Sequence, residues 1–225
     1  LRILANKDAL YNADGNTNVT ATDRVLGTAT PYAGEYGIST NPESFASESY
    51  RAYFADKVRG TILRLSNDGL TAISDNGMRD WFRDNLKLTN KLIGSYDDKK
   101  DQYNITLNDA TKTVTFREDV RGWVSFKSFI PENAISCANE YYTFKDGQLW
   151  MHHDESSPRN TFYNVHSSND WSTFNVILND APGSVKSFNT INYEGSKSRV
   201  VTNLQDDQYY NLSDRDGWYV ESIVT

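Results

Sequence analysis

The stretch Tyr50-Arg-Ala-Tyr-Phe-Ala55, Asp56-Lys-Val-Arg-Gly60, Thr61-Ile-Leu-Arg-Leu-Ser66 carries the clearest structural pattern in the chain. Two short runs rich in aromatic and β-branched residues flank a polar turn that ends in glycine, which is the pattern of a β-hairpin. Asn67-Asp-Gly69 supplies the next turn, and residues 70–73 a third apolar run. The segment therefore predicts a three-stranded antiparallel meander.

A helical pattern follows directly. Met78, Trp81, Phe82 and Leu86 recur close to a spacing of three and four residues, so they share one face of a helix. Asp75 or Asn76 is placed to cap its first turn. We predict one short amphipathic helix over residues 76–87.

A second meander is predicted from Lys91 to Phe129, with turns at Asp97–Asp101 and Asn108–Asp109. The pair Asp98-Lys99 follows Asp56-Lys57 after 42 residues, inside the ~40–45 residue spacing of β-propeller blades. Blades must stack on neighbours to bury both of their faces. The first residue is Leu1 and the last run is strand-like, so we expect a fragment of a longer chain.

Three segments are expected from these patterns. Residues 1–48 are polar and predict a loop-rich connector, residues 49–130 hold the meanders, and residues 131–225 predict a β-sandwich-like half or a further meander. The hairpin Glu140–Lys145, Asp146-Gly147, Gln148–His152 opens the third segment. The predicted fold class is mainly β, with antiparallel meanders and one short amphipathic helix. Whether the meanders are β-propeller blades followed by a sandwich-like half stays open.

Composition restricts the partners. The net charge of −7 disfavours binding to nucleic acid, and no apolar run reaches the ~18 residues of a membrane span. Cys137 is the single cysteine, so no intrachain disulfide forms and folding in a reducing compartment is expected. Because Ile-Ser-Cys-Ala is apolar, we expect the thiol of Cys137 to be buried and structural.

Several segments together resemble a known family. They are Tyr53–Lys57, Ile62–Ser66, Asp68–Ser74, Gly77–Phe82, Gly122–Phe126, Tyr142–His152, Asn160–Tyr163, Lys186–Gly195 and Asp216–Val220. This series, over roughly residues 43–220, resembles large tail-associated virion structural proteins of tailed bacteriophages, such as the muzzle and tail proteins of crAss-like phages and their marine phage relatives. The resemblance implies a virion location in the tail, assembly in the host bacterial cytoplasm, contacts with other tail subunits, and no catalytic site.

Three groups of residues are candidates for metal binding or catalysis. Asn12–Asn18 approaches a calcium loop, but neither register places ligands at all the required positions, so a turn is expected. His152 and His153 would point to opposite faces of a strand and could not share one ion with His166. The pairs Asp97-Asp98 and Asp206-Asp207 diverge in the same way and do not make the paired carboxylates of a glycosidase. We predict no metal, no cofactor and no catalytic residue.

Aromatic side chains are the remaining candidates for contacts. Exposed tryptophans can stack on sugars or pack against a subunit, so Trp123, Trp150, Trp171 and Trp218 are candidate glycan or subunit contacts. We interpret the chain as a structural component of a phage tail that forms a homo-oligomer and contacts the host surface, and not as an enzyme. The alternatives are a carbohydrate-binding β-module and a glycan-degrading tail enzyme.

Overall fold

The computed structural model describes residues 2–12, 14, 16–157, 161–164, 172–177 and 181–187. Within them lie thirteen strands and one α-helix. The chain divides into two compact units, Leu1–Thr173 and Phe174–Thr225, and all of these strands and the helix belong to the first. Residues 188–225 of the predicted third segment lie outside the described residues, and the segment boundaries stay predictions.

The strands are β1 Arg2–Tyr11, β2 Thr17–Thr30, β3 Ala46–Ser47, β4 Ala52–Asp56, β5 Thr61–Ser66, β6 Gly69–Ala72, β7 Leu92–Asp97, β8 Gln102–Leu107, β9 Lys112–Arg117, β10 Gly122–Lys127, β11 Asn133–Cys137, β12 Glu140–Lys145 and β13 Gln148–Met151. Helix α1 is Arg79–Leu88, and short 3-10 turns span Pro42–Ser44 and Ile73–Asp75.

These strands form four antiparallel sheets. They are an N-terminal hairpin (β1–β2), a first sheet (β3–β6), a central sheet (β7–β10) and an outer sheet (β11–β13). In every sheet the neighbours follow one another in chain order, so each is a meander. The prediction of a mainly β fold with antiparallel meanders and one helix is confirmed, because the aromatic and β-branched runs and the turn residues agree.

The helix begins later than the pattern predicts. The 3-10 turn Ile73–Asp75 and Gly77, which has a φ of +84°, separate the first sheet from α1. Met78 occupies the N-cap position and no side chain caps the helix there, so the predicted cap at Asp75 or Asn76 is wrong. Asp75 instead forms an exposed ion pair with Arg79, at 3.8 Å.

The predicted connector contains regular structure. β1 and β2 pair from Arg2 with Thr30 to Tyr11 with Thr17, with two irregularities in register. Most of their side chains are exposed, so neither strand needs the apolar and polar alternation that identifies a half-buried strand. This is why the sequence pattern leaves residues 2–10 open between a short helix and a strand and does not predict the hairpin.

The internal repeat has a structural basis at two strand ends. Asp56 ends β4 and Asp97 ends β7, and both carboxylates are buried. The Asp56 Oδ1 accepts a hydrogen bond from the Arg59 amide at 3.1 Å, and the Asp97 Oδ1 accepts one from the Lys100 amide at 3.2 Å. The structural counterpart of Asp56 is thus Asp97, and the sequence comparison with Asp98 was one residue out of register.

The apolar core lies between the first sheet, α1 and one face of the central sheet. The Tyr53 ring of β4 stacks on Tyr103 of β8, with ring centroids 4.7 Å apart, and on Tyr96 of β7 at 5.8 Å. Phe82 of α1 packs against Trp123 of β10 at 4.4 Å. Stacked and tilted rings of this kind bury large apolar areas, which holds the two sheets and the helix together.

The opposite face of the central sheet is polar and equally buried. Its polar layer consists of Ser95, Asp97, Gln102, Asn104, Thr106, Thr113 and Thr115. The outer sheet and the chain leading to it lie against this layer: Ser95 Oγ is 2.8 Å from Tyr141 Oη, and Thr113 Oγ1 donates to the Phe129 carbonyl at 2.6 Å. Both faces of β7, β8 and β9 are therefore inside the fold, whereas β10 at the edge of the sheet is partly exposed.

Gly94 in β7 lies against the 3-10 turn Pro42–Ser44, so a substitution at Gly94 tests this packing. A Cβ atom at Gly94 would lie 1.9 Å from the Ser44 carbonyl oxygen, which also accepts a hydrogen bond from Tyr103 Oη at 3.0 Å. We expect Gly94→Ala to displace this turn and lower the free energy of unfolding by about 1–3 kcal/mol. Urea denaturation measures it.

Gly122→Ala is the matched control. The nearest atom to its added Cβ would be the Val120 carbonyl oxygen at 3.6 Å, an ordinary contact. Its urea midpoint should stay close to that of the unsubstituted chain. Equal effects at the two glycines would contradict the packing described for Gly94.

Candidate functional site

Two of the four candidate tryptophans lie among the described residues, and both are half-buried. Trp123 Nε1 donates to the Ile73 carbonyl at 3.0 Å, and its ring packs against the core. Trp150 Nε1 donates to the Lys145 carbonyl at 3.4 Å, and its ring meets Tyr163 edge-on at 5.5 Å. They belong to different sheets and form no common aromatic platform. Trp171 and Trp218 lie outside the described residues.

An open cleft of about 590 Å³ lies where the first sheet meets the turn after β9. We call it the Glu118 cleft. Its lining residues are Tyr50, Arg51, Arg64, Ser66, Asn67, Asp68, Thr71, Ile73, Asn76, Phe116, Glu118 and Arg121. No sequence pattern predicts this cleft, because its walls come from turns and strand ends that are far apart in the chain.

Glu118 is held by groups from the first sheet. Its Oε1 accepts a hydrogen bond from Tyr53 Oη at 2.9 Å, and its Oε2 accepts one from Arg64 Nη1 at 2.7 Å. Arg51 Nε lies 3.9 Å from Oε1. Burial, together with the hydrogen bond to Glu118 and its negative charge, raises the pKa of Tyr53. Tyr53 therefore keeps its proton and donates to a fixed carboxylate at the floor of the cleft.

A second polar cluster joins the central sheet to the chain after β13. Asp97 Oδ2 is 2.6 Å from His153 Nε2 and accepts a hydrogen bond from Gln102 Nε2 at 3.0 Å. Burial opposes ionisation of Asp97, but the hydrogen bonds from His153, Gln102 and the Lys100 amide outweigh it and lower its pKa. The ionised Asp97 anchors His153 to the central sheet.

His152 lies among aromatic rings. Its ring centroid is 4.9 Å from that of Phe129 and 5.1 Å from that of Tyr141, and its Nε2 is 2.8 Å from Thr143 Oγ1. Burial, and then the positive charges of His153 and Lys127, lower the pKa of His152 to about 4. His152 is therefore neutral at pH 7.

The candidate residues for metal binding or catalysis do not surround a common site. His152 and His153 turn to different partners, and no group of three or more metal-ligating side chains occurs among the described residues. Asp97 is buried while its neighbour Asp98 is exposed, so the two carboxylates do not face a common space. Of the predicted Asn12–Asn18 turn, Thr17 and Asn18 belong to β2, and the Asn12 amide donates to the Asn16 carbonyl at 2.9 Å just before this strand; residues 13 and 15 lie outside the described residues. His166 and Asp206-Asp207 lie outside the described residues.

Cys137 is exposed, so the expectation of a buried thiol is wrong. It is the last residue of β11 and shares the solvent face of the outer sheet with Ile135, two residues earlier. The apolar Ile-Ser-Cys-Ala run could not show which face is covered, because the side chains of a strand alternate between faces.

The outer sheet exposes an apolar face. Ile135, Tyr142 and Met151 are paired across its three strands, and Phe144 is paired with Leu149 in the adjacent row. Ile135, Phe144, Leu149 and Met151 are each 40–60% exposed. The N-terminal hairpin exposes a second apolar set, Ile3, Leu10, Tyr11, Val19, Val25 and Leu26. A cross-strand apolar patch like that of the outer sheet marks an interaction surface. The apolar residues of the hairpin are spread over both of its faces, because Leu10 and Tyr11 are neighbours in β1 and Val25 and Leu26 are neighbours in β2.

A model of the Crassvirus muzzle protein family matches residues 29–147, which is more than half of the chain. The chain belongs to this family. It is thus a phage virion structural protein, and the resemblance seen in the sequence is confirmed. A comparison with curated proteins finds no match.

The part matched by the muzzle family includes the first sheet, α1, the central sheet and the Glu118 cleft, whereas most of the N-terminal hairpin precedes it. Association with other virion subunits follows from membership in this family. None of the helices in the described ranges is long and apolar enough to cross a membrane.

Glu118→Gln tests the role of the carboxylate. The change leaves Arg64 without its charged partner and weakens the acceptor for Tyr53, so we expect the free energy of unfolding to fall by about 1.5–3 kcal/mol. Glu35→Gln is the control, because Glu35 is 91% exposed and pairs with Arg59 at 3.4 Å. That variant should stay within about 0.5 kcal/mol in the same urea titration. Similar losses for both would contradict a structural role of Glu118.

The buried His152 predicts a dependence of stability on pH. Its pKa is near 6.5 when unfolded and about 4 when folded, so unfolding takes up a proton between these values. Stability should fall as the pH is lowered from 6.5 towards 4. In urea midpoints measured over this range, His152→Phe should reduce the slope, while Thr143→Val, which leaves the imidazole in place, should retain it. An unchanged slope in His152→Phe would refute this assignment.

Proposed function

We propose that this chain is a building subunit of the phage tail that assembles by burying apolar β-surfaces against copies of itself. The observation that supports this most directly is the exposed face of the outer sheet, with its two cross-strand apolar rows. Its other face lies against the central sheet, and within the described part of the chain the apolar face is the one open to a partner. Burying such a surface is favourable at roughly 25 cal/mol per Å² of apolar area.

The N-terminal hairpin supplies a partner surface. An isolated two-stranded hairpin is only marginally stable in water, and this one keeps most of its side chains exposed. Because the hairpin and the outer sheet are different surfaces, a contact between them would be head-to-tail. Contacts of that type close into rings or extend along a filament. We infer that the hairpin of one copy covers the outer sheet of the next.

Catalysis is not part of this proposal. Among the described residues, Asp97 and His153, two of the candidates for chemistry, pair with each other inside the fold, and Glu118 of the cleft pairs with Arg64. The family is one of virion structural proteins, which supports a non-enzymatic role. Assembly in the host cytoplasm, contact with the host surface and stacking of the meanders as propeller blades belong to the same proposal.

Leu149→Lys combined with Met151→Lys tests the contact. Two charges on the apolar face should oppose its burial, so association should require at least about tenfold higher protein concentration, roughly 1.4 kcal/mol. Sedimentation velocity over a concentration series measures this. Val25→Asp combined with Leu26→Asp should have the same effect from the hairpin side.

Leu88→Lys is the matched control, because Leu88 ends α1, is 79% exposed and lies outside both surfaces. It should associate like the unsubstituted chain. A chain that stays monomeric up to about 100 μM, where an interface of even about 8 kcal/mol would assemble, overturns the proposed self-association. Association unchanged by both double variants overturns the proposed surfaces.

A further inference from the structure

We propose that the Glu118 cleft is a binding site for an acidic saccharide, a sugar chain that carries carboxylates. This goes beyond the assembly role, because the cleft is separate from the outer sheet and the exposed faces of the hairpin. The cleft volume of about 590 Å³ lies within the ~300–1,000 Å³ range of small-molecule sites. It is open, so a segment of a longer glycan could lie across it.

One edge of the cleft offers apolar contact. Ile73 and Phe116 lie beneath the cleft but are almost completely buried, so this contact surface comes from Tyr50. Tyr50 stands at the edge with 76% of its surface exposed, and its amide donates to Glu48 Oε2 at 2.9 Å, which positions the residue. An exposed aromatic ring beside a polar cleft can pack on the apolar face of a sugar ring.

The rim supplies planar hydrogen-bonding groups. Asn67, Asp68 and Asn76 line it together with Thr71. Asn76 Nδ2 donates to the Arg121 carbonyl at 2.9 Å, which ties the end of the first sheet to the turn after β9. The side-chain amides of Asn67 and Asn76 can donate and accept hydrogen bonds, and the Asp68 carboxylate accepts them, so together they match the hydroxyl groups of a saccharide.

Charge selects the acidic class of saccharide. The lining holds three arginines and two carboxylates, a net positive surface on a chain of net charge −7. Arg64 is paired with Glu118 and Arg51 with Glu48, at 2.7 and 2.9 Å. Arg121 makes no ion pair with any described residue, and its guanidinium can hold a carboxylate in a two-pronged contact.

Isothermal titration with a tetrasaccharide of galacturonic acid, and with the neutral tetrasaccharide of galactose, tests the proposal. We expect the acidic probe to bind with a Kd on the order of 0.1–1 mM at low salt, and at least about tenfold more tightly than the neutral one. Single sites of this strength suffice in a virion, because many copies act together. Added salt should weaken binding of the acidic probe.

Two variants locate the site. Tyr50→Ala and Arg121→Gln should each weaken binding of the acidic probe at least about fivefold, because they remove the stacking ring and the unpaired guanidinium. Tyr36→Ala and Arg79→Gln are matched controls at exposed positions outside the cleft and should bind like the unsubstituted chain. Circular dichroism confirms that each variant is folded.

Three results would overturn the proposal. The first is no binding at up to about 5 mM of the acidic probe, a concentration that corresponds to roughly 3 kcal/mol of affinity. The second is equal affinity for the neutral probe, and the third is unweakened binding of the acidic probe by both cleft variants. The assembly proposal fails independently of these, because its variants at Leu149, Met151, Val25 and Leu26 lie outside the cleft lining.

Discussion

Strands β7, β8 and β9 of the central sheet are buried on both faces, and this constraint organises the molecule. One face is apolar and packs its Tyr96 and Tyr103 rings against Tyr53 of the first sheet. The other face is polar, and burial of polar groups is unfavourable unless each finds a hydrogen-bond partner. The outer sheet meets this need from one side, through Tyr141 against Ser95. The arrangement explains why three sheets and a helix pack as one unit.

The polar layer also accounts for the ionisable groups that looked functional in the sequence. Asp97 and His153 form a buried pair whose attraction and hydrogen bonds offset the cost of removing the carboxylate from water. Lys127 crosses the same layer to Asn104 Oδ1 at 3.4 Å, and burial lowers its pKa to about 8. Among the described residues, the Asn104 Nδ2 of this layer is buried and has no hydrogen-bond partner. These groups hold two sheets in register.

Surfaces remote from this core carry the proposed roles. One face of the outer sheet covers the polar layer and the other is exposed and apolar, so the same three strands can pack on the central sheet and bind a neighbouring subunit. Glu118 lines the cleft and is held in place by hydrogen bonds from Tyr53 and Arg64 of the first sheet. A packed interior with exposed, preformed surfaces suits a protein whose family builds virions.

The local patterns were sufficient for the meanders. β5 and β12 begin and end at the predicted residues, because alternating apolar runs bounded by glycine, asparagine and aspartate specify strands and turns within a few residues. They could not show that the polar face of Thr113 and Thr115 is covered, that Cys137 is exposed, or that Glu118 meets Arg64 from 54 positions away. A strand pattern gives two faces but does not say what lies against each of them, and only packing between distant segments settles that.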